Sequence, residues 1–389
     1  YLKWGKDAPN YILGDWSFAV FDTFEKELFI ARDHHGYTAI YYMQHGNTFH
    51  FSSNITYLLS LKSKKLNERK LVQKICHWQT HLNNEETDFE GVYTLLAGHN
   101  LSFKNGKLKV SKYWFPENVS PRHYKNQQDY FEELREIFKE AVACRLIGEK
   151  PVAAMLSGGL DSGSVASMAA YILKTEKSPL TTFSHVPLFR DKVSNNAKNR
   201  FSDETDYILA TAGFHTNINP ILLNSDYISP ITGIKTFLEV NEEMIHGASN
   251  AYWMVDIFKS ASEAGFGAIL SGENGNGAWS NAGLTYLLPF THPFYLHHPK
   301  RLIRKLVDPI YTRFKNNGND AGYAENFLQN SFVNNHILEK YDILEYNSQN
   351  NRGLGSNKFN SAKHAMLNLI ELARFGRCAN GGNVSNYFN

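Results

Sequence analysis

The segment Ser157-Gly158-Gly159-Leu160-Asp161-Ser162 contains the residue types from which proteins build a phosphate-binding loop. Two adjacent glycines allow a backbone to approach an anion closely and to adopt positive φ angles. The hydroxyls of Ser157 and Ser162 are possible donors, and N–H groups at the start of a following helix would add its positive dipole end. Asp161 is an unfavourable neighbour for phosphate unless a cation lies between them, and Mg²⁺ prefers oxygen ligands. The segment therefore predicts a magnesium–nucleotide site; the simpler alternative is a tight turn that binds nothing.

The elements around this loop predict how it is positioned. Residues 152–156 form a short apolar run typical of a buried parallel strand, and a helix follows with Val165, Met168, Ala169 and Ile172 on its inner face. Residues 180–184 and 267–270 predict further strands. The alternation of strands and helices predicts a doubly wound sheet. A preceding helix is predicted to bury one apolar face, formed by Tyr130, Leu134, Ile137, Phe138, Ala141, Val142 and Leu146.

The first third of the chain has a different pattern. Residues 1–118 contain short alternating segments rich in β-forming residues, and Asn105-Gly106 predicts a type I′ hairpin turn. The polar stretch 116–126 contains two prolines and is predicted to separate this domain from a second one over residues 126–389. Beyond Pro293 the chain is polar and helical in character.

Composition excludes several classes of function. The net charge is +2 without a basic tract, so neither nucleic acid nor a membrane surface is expected as a partner. No apolar run approaches the roughly 18 residues of a spanning helix. Cys76, Cys144 and Cys378 lack the spacing of a zinc site or a disulfide framework. A reduced, cytoplasmic location is therefore expected, where ATP is available.

Several segments keep the order and spacing of a known family. They are residues 13–22, 31–36, Tyr41-Tyr42, 51–55, 96–99 and Tyr113-Trp114. Together with the loop at 156–162 and Arg145 before it, they resemble the asparagine synthetase family over about residues 1–290. That family includes β-lactam, carbapenam and lasso-peptide macrolactam synthetases.

The resemblance implies an α/β fold with two parts. The first is a degenerate Ntn-type, β-rich glutaminase-like domain at 1–118. The second is a doubly wound PP-loop domain, similar to adenine nucleotide alpha hydrolases, with a helical C-terminal part at 126–389. The family's glutaminase uses an N-terminal Cys, and none of the three cysteines lies at the start, so a remnant lacking that nucleophile is expected unless the native chain is longer. Relatives also use a Lys near the C-terminus, about where this chain ends at Asn389.

The resemblance also implies roles for individual residues. Leu156, Ser157, Gly158, Gly159, Asp161 and Ser162 would bind ATP, together with Phe183 and Ser184 at the adenine edge and Gly272 in a later loop. That loop reads Ser271-Gly272-Glu273-Asn274-Gly275-Asn276, and Asn276 stands where the family has a second magnesium-binding Asp. Asp161 and Asn276 are the expected metal ligands, and Asp161 and Glu273 are the expected catalytic residues, Glu273 handling the substrate. Alternatives remain for two of them: Phe183 as an ordinary core residue, and the later loop as a glycine-rich turn with a solvated Glu273.

Three functions compete on these grounds. The first is an AMP-forming ligase that uses ATP and Mg²⁺ to activate a small-molecule or peptide carboxylate as an acyl-adenylate, which an amine then attacks. A precursor peptide is a possible substrate, and the reaction could be intramolecular lactam or macrolactam formation. The second is an ammonia- or glutamine-dependent asparagine synthetase, and the third a nucleotide-binding pseudoenzyme. A homodimer is compatible with each of them.

Overall fold

The computed structural model describes residues 1–61, 63–76, 85–189, 203–243, 247–273, 275, 288, 290–303, 305–307 and 333–343. They divide into two compact units. The first contains Tyr1–Trp114 and the described part of Ala282–Arg377, and the second contains the described part of Phe115–Asn281. Within these residues no helix is long and apolar enough to cross a membrane.

The first unit is built on two antiparallel sheets. Its strands are β1 Ser17–Asp22, β2 Glu27–Arg32, β3 Tyr41–His45, β4 Thr48–Ser52, β5 Tyr93–Thr94, β6 His99–Lys104 and β7 Lys107–Lys112. The sheets have the orders β1-β2-β6-β7 and β4-β3-β5. The helices are α1 Ile55–Ser60 and α2 Glu68–Cys76, with a 3₁₀ helix at Gly5–Tyr11. Apolar side chains from both sheets meet in one core that includes Ile30, Tyr42 and Leu101.

The predicted hairpin is confirmed. Lys104 pairs with Lys107, and Asn105 and Gly106 between them have φ angles of 52° and 72°. Positive φ at both central residues defines the type I′ turn, whose twist matches that of the flanking strands.

Two buried charged side chains shape the loop after β2, where the sequence reads Ala31-Arg32-Asp33. Arg32 is 2% exposed and donates to the carbonyl oxygens of Thr38, Gly36 and Leu95 at 2.5, 2.6 and 2.5 Å. The Asp33 carboxylate accepts from the N–H groups of residues 35–38. These two side chains satisfy the polar backbone of a tight loop, so the motif has a structural task here.

The second unit contains one parallel sheet. Its strands are β8 Val152–Met155, β9 Leu180–His185, β10 Ile218–Leu223 and β11 Ala268–Leu270, in the order β10-β9-β8-β11. All three pairings are parallel. The helices are α3 Gln127–Ala143, α4 Leu160–Thr175, α5 Thr205–Phe214, α6 Pro230–Asn241 and α7 Ala251–Glu263, with 3₁₀ turns at Pro116–Asn118 and Ala248–Asn250.

Helices cover both faces of this sheet. Ala154 and Leu180 pack against Val165 of α4 and Ile208 of α5. On the opposite face Ala153 and Phe183 pack against Ile257 and Ala261 of α7. Strand order reverses at β8, because β9 and β10 lie on one side of it and β11 on the other. Such a point opens a crevice at the carboxyl ends of the strands, which is where open α/β sheets bind ligands.

The predicted inner face of α4 is confirmed, whereas that of α3 is correct only in its second half. Phe138, Val142 and Leu146 pack against the core around α4. Tyr130, Leu134 and Ile137 remain 41%, 47% and 55% exposed. The amphipathic pattern runs the length of the helix, but only its C-terminal part contacts this core, so periodicity alone overestimated the buried face.

Short helical segments complete the described part of the first unit. They include α8 Phe294–His297 and α9 Asn335–Lys340, and residues 299–303 and 305–307 are also helical. Leu338 of α9 is buried in a cluster that includes Val72 of α2.

A Gly233→Ala substitution should destabilise the second unit through the contact between α6 and α7. A Cβ at this position would lie 2.4 Å from both Cα and N of Tyr252, and backbone atoms cannot give way without moving a helix. We expect the free energy of unfolding to fall by about 2–3 kcal/mol. Chemical denaturation measures this directly.

Gly213→Ala in α5 is the matched control, since a Cβ there meets nothing within 4 Å. Replacing an exposed helical glycine by alanine should raise stability by roughly 0.5–1 kcal/mol. Equal effects of the two substitutions would show that α6 and α7 do not approach as closely as described.

Candidate nucleotide site

The segment after β8 forms a loop held by its own serines. The Ser157 N–H donates to Ser162 Oγ at 3.0 Å, and the two hydroxyl oxygens are 2.8 Å apart. The Gly159 N–H donates to Ser157 Oγ at 3.1 Å. The hydroxyls predicted to serve as phosphate donors therefore shape the loop first, and each keeps limited capacity for a ligand.

The donors left for an anion are the first backbone N–H groups of α4. Gly159 is its N-cap and offers no side chain, and the first bond of the helix runs from the Gly163 N–H to the Gly159 carbonyl at 3.1 Å. The N–H groups of Leu160, Asp161 and Ser162 have no acceptor among the described residues. Three unsatisfied donors at the positive end of a 16-residue helix suit phosphate oxygens.

The Asp161 carboxylate lies beside these donors. Its Oδ1 is buried and accepts no hydrogen bond from any residue that the structure describes. A carboxylate oxygen in that condition is costly to bury, and a bound cation would satisfy it. The residues present thus fit Mg²⁺ at Asp161.

The loop after β11 covers the same helix start. A Cβ on Gly272 would lie 2.4 Å from the Ser162 nitrogen, and one on Gly275 would lie 2.4 Å from Asp161 Oδ1. Glycine is therefore required at both positions for the two segments to approach. Glu273 between them is exposed, and its N–H lies 3.4 Å from Ser271 Oγ. Asn276, the other expected metal ligand, lies outside the described residues.

The end of β9 contributes backbone and one hydroxyl. The Phe183 ring is 1% exposed and packs in the core, edge-on to Phe266, while its carbonyl accepts from the Leu156 N–H at 3.1 Å. Its side chain is thus a core group, and its backbone pairs with the strands on both sides of β9. Ser184 is 2% exposed, and its Oγ has no partner in the described part of the chain. A ligand's polar group would satisfy that hydroxyl.

Glu204 contacts the loop from the start of α5. Its Oε2 accepts from the Gly158 N–H at 3.2 Å. The neighbouring Asp203 satisfies the first N–H of the helix, since its Oδ1 accepts from the Thr205 N–H and hydroxyl at 3.0 and 2.5 Å.

A polar group near the ends of β9 and β10 was not predicted from the sequence. Asp256 of α7 is 1% exposed and accepts from the hydroxyls of Ser225 and Tyr227 at 2.6 and 2.5 Å. His185 stacks on Trp253 with ring centroids 6.1 Å apart. Burial lowers the pKa of the His185 imidazole below its ordinary value, and the negative charge of Asp256 opposes part of that effect. The sequence contains one signal for Asp256, which is that an acidic residue stands among apolar positions of a helix.

Across the described residues, no group of three His, Cys, Asp or Glu side chains could hold a metal by itself. A cation at Asp161 would therefore depend on ligand phosphates and water for the rest of its coordination, as Mg²⁺ commonly does at nucleotide sites.

Comparison with known families agrees with this geometry. Residues 1–114 match a family model described as a glutamine amidotransferase domain, and residues 133–366 match one described as asparagine synthase. The second match covers more than half of the 389 residues and includes both loops of the site. The chain belongs to the asparagine synthase family.

Curated relatives resemble this asparagine synthase family member over part of their length. The glutamine-hydrolyzing asparagine synthetase 3 of Bacillus subtilis is 31% identical over 186 residues, 47% of this chain and 30% of that protein. A putative glutamine-hydrolyzing asparagine synthetase 2 of Methanocaldococcus jannaschii is 31% identical over 186 residues, 47% of this chain and 36% of that protein. Amidase chry2 of Gibberella zeae is 30% identical over 178 residues, which are 45% of this chain and 26% of that protein. The match spans about a third of these relatives' length.

Proposed function

We propose that the protein is an ATP-dependent carbon–nitrogen ligase that activates a carboxylate as an acyl-adenylate, releases pyrophosphate and forms an amide. The observation that carries this proposal is the start of α4. Within the described residues, three N–H groups without an acceptor lie beside the buried Oδ1 of Asp161, which has no hydrogen-bond partner there, at the switch point of the sheet. Membership of the asparagine synthase family supports the same chemistry.

Each residue has a role in this reaction. The N–H groups of Leu160, Asp161 and Ser162 would bind the β- and γ-phosphates, and Asp161 would hold Mg²⁺, which neutralises charge on the leaving pyrophosphate. A carboxylate oxygen of the substrate attacks the α-phosphorus as the bond to pyrophosphate breaks. The amine nitrogen then attacks the acyl carbon, AMP leaves, and the amine loses a proton. Since Gly272 and Gly275 bring the later loop against α4, that loop would limit water access to the mixed anhydride.

The substrate class is a small-molecule or peptide carboxylate. Glu273 is exposed at the rim of the site, where it can contact an acid's remaining polar groups or the incoming amine. An intramolecular reaction that closes a lactam or macrolactam on a precursor peptide fits the same chemistry.

Asparagine synthesis is the second candidate. Two of the relatives described above are named asparagine synthetases, and residues 1–114 match a glutamine amidotransferase domain. In that case aspartate would be the activated acid and ammonia the amine.

ATP–[³²P]pyrophosphate exchange with Mg²⁺ tests the proposal. The acids are aspartate, glutamate and peptides that carry a free carboxylate, and the same compounds with that carboxylate amidated are the controls. We expect exchange that depends on one acid and disappears with its amidated form. Exchange with aspartate alone would favour asparagine synthesis. ATP binding without exchange for any acid would contradict ligase activity and leave a nucleotide-binding protein.

A further inference from the structure

Glu204 has a contact that helix capping does not explain. It is the N-cap residue of α5, but its side chain makes no capping hydrogen bond, and the Thr205 N–H donates to Asp203 instead. Its carboxylate instead reaches across to the Gly158 N–H at 3.2 Å. The Glu204 side chain therefore binds the loop between β8 and α4.

The approach of α5 to this loop is close. A Cβ on Gly158 would lie 3.0 Å from Glu204 Cβ and 2.9 Å from Tyr207 Cβ. The first turn of α5 thus packs directly against the loop, and a residue larger than glycine would separate them. Position 158 needs glycine because of this contact. Its φ angle is not positive, so the backbone conformation alone does not require glycine there.

The consequence concerns which N–H groups face a ligand. Ser162 and Ser157 accept from the Ser157 and Gly159 N–H groups, and Glu204 accepts from that of Gly158. All three N–H groups ahead of the helix are thereby directed into the protein. In the part of the chain that the structure describes, the N–H groups left without an acceptor are the consecutive ones of Leu160, Asp161 and Ser162.

We propose that Glu204 is a positioning residue for the phosphate loop. By holding the Gly158 N–H, it fixes the backbone so that the three N–H groups at the start of α4 converge on the β- and γ-phosphates. The carboxylate acts as a hydrogen-bond acceptor and touches neither the nucleotide nor the metal. The inference rests on the proposed binding of ATP.

Calorimetric binding of ATP, pyrophosphate and AMP to the full chain tests this role. In Glu204→Ala we expect affinity for ATP and for pyrophosphate to fall about tenfold, because an acceptor to the loop is lost. AMP lacks the phosphates that the loop binds, so its affinity should stay within about twofold. Glu204→Gln retains an acceptor oxygen and should restore ATP and pyrophosphate binding to within about threefold. Asp206→Ala removes an exposed carboxylate from the same helix start and is the matched control.

The outcomes separate this inference from the proposed function. If the native chain binds ATP and Glu204→Ala binds it with equal or higher affinity, the positioning role is overturned. If Glu204→Gln binds ATP and pyrophosphate as weakly as Glu204→Ala does, the negative charge matters and the hydrogen bond does not. That result would also overturn the positioning role. Parallel loss of AMP binding would show that the effect is not confined to the phosphates and would also overturn the positioning role. If Glu204→Ala does not fold, Glu204→Asp, whose carboxylate is one methylene short, should show the same selective loss. A native chain that binds neither ATP nor pyrophosphate would contradict the proposed function itself.

Discussion

Replacing Asp161 by Asn should abolish acid-dependent ATP–pyrophosphate exchange while the protein remains folded. We expect a loss of about a thousandfold or more, because the substitution removes the one charge that the described loop offers to a cation beside the pyrophosphate. The side chain keeps its size, so packing against Gly275 is preserved. Initial rates of exchange at saturating ATP measure the effect.

Stability provides the counterpart to this experiment. Among the residues that the structure describes, Asp161 Oδ1 is buried without a hydrogen-bond partner, so neutralising the side chain should leave the free energy of unfolding unchanged or raise it by about 1 kcal/mol. Loss of activity with equal or higher stability is the signature of a group kept for function. Asp206→Asn, on the exposed start of α5, should change neither quantity. Exchange in Asp161→Asn at a tenth of the native rate or more would argue that Asp161 does not hold the metal.

Gly272→Ala should cause the second large loss. A Cβ there would meet Ser162 N at 2.4 Å, Asp161 C at 2.6 Å and Ser162 Cα at 2.8 Å, all of them backbone atoms of the turn proposed to bind phosphate. Either the loop after β11 or the start of α4 must move. We expect ATP affinity to fall about a hundredfold, since the donors shift relative to one another, and stability to fall by about 1–3 kcal/mol.

Gly163→Ala is the control on the same helix. A Cβ at Gly163 meets nothing within 4 Å, so ATP affinity should be retained and stability should rise by roughly 0.5–1 kcal/mol. Retention of native ATP affinity in Gly272→Ala would show that the loop after β11 does not lie against α4 when nucleotide is bound.

Local pattern was sufficient to predict the elements that hold the site. The strand before Ser157, the helix after it and the strand at 180–184 follow from short apolar runs and helical spacing, and the structure contains all three. The Asn105-Gly106 turn was predictable for the same reason, because its φ angles are a property of two adjacent residues. Signals that depend on neighbours in sequence are visible without a structure.

Relations between distant segments were not predictable in this way. That Glu204 binds the Gly158 N–H and that Gly272 lies on Ser162 are results of tertiary packing. The same limit explains the exposed half of α3, where amphipathic spacing predicts a buried face but not the length of the neighbour that covers it. Ser157 and Ser162 suited phosphate by type, yet their mutual hydrogen bond appears only in three dimensions.

The place of β11 in the sheet has a consequence for the kinetics of folding. β8 pairs with β9 in the next crossover, but β11 pairs with β8 from more than a hundred residues further along the chain. Pairings of such separation carry a larger loop-closure entropy and form late. An intermediate in which β8, β9 and β10 are paired would already have formed most of the core around α4. Gly272 and Gly275 would not yet lie against the start of α4. Nucleotide affinity would then appear only when β11 joins the sheet. The time at which a refolding chain begins to bind nucleotide would therefore report the last step in the assembly of the sheet.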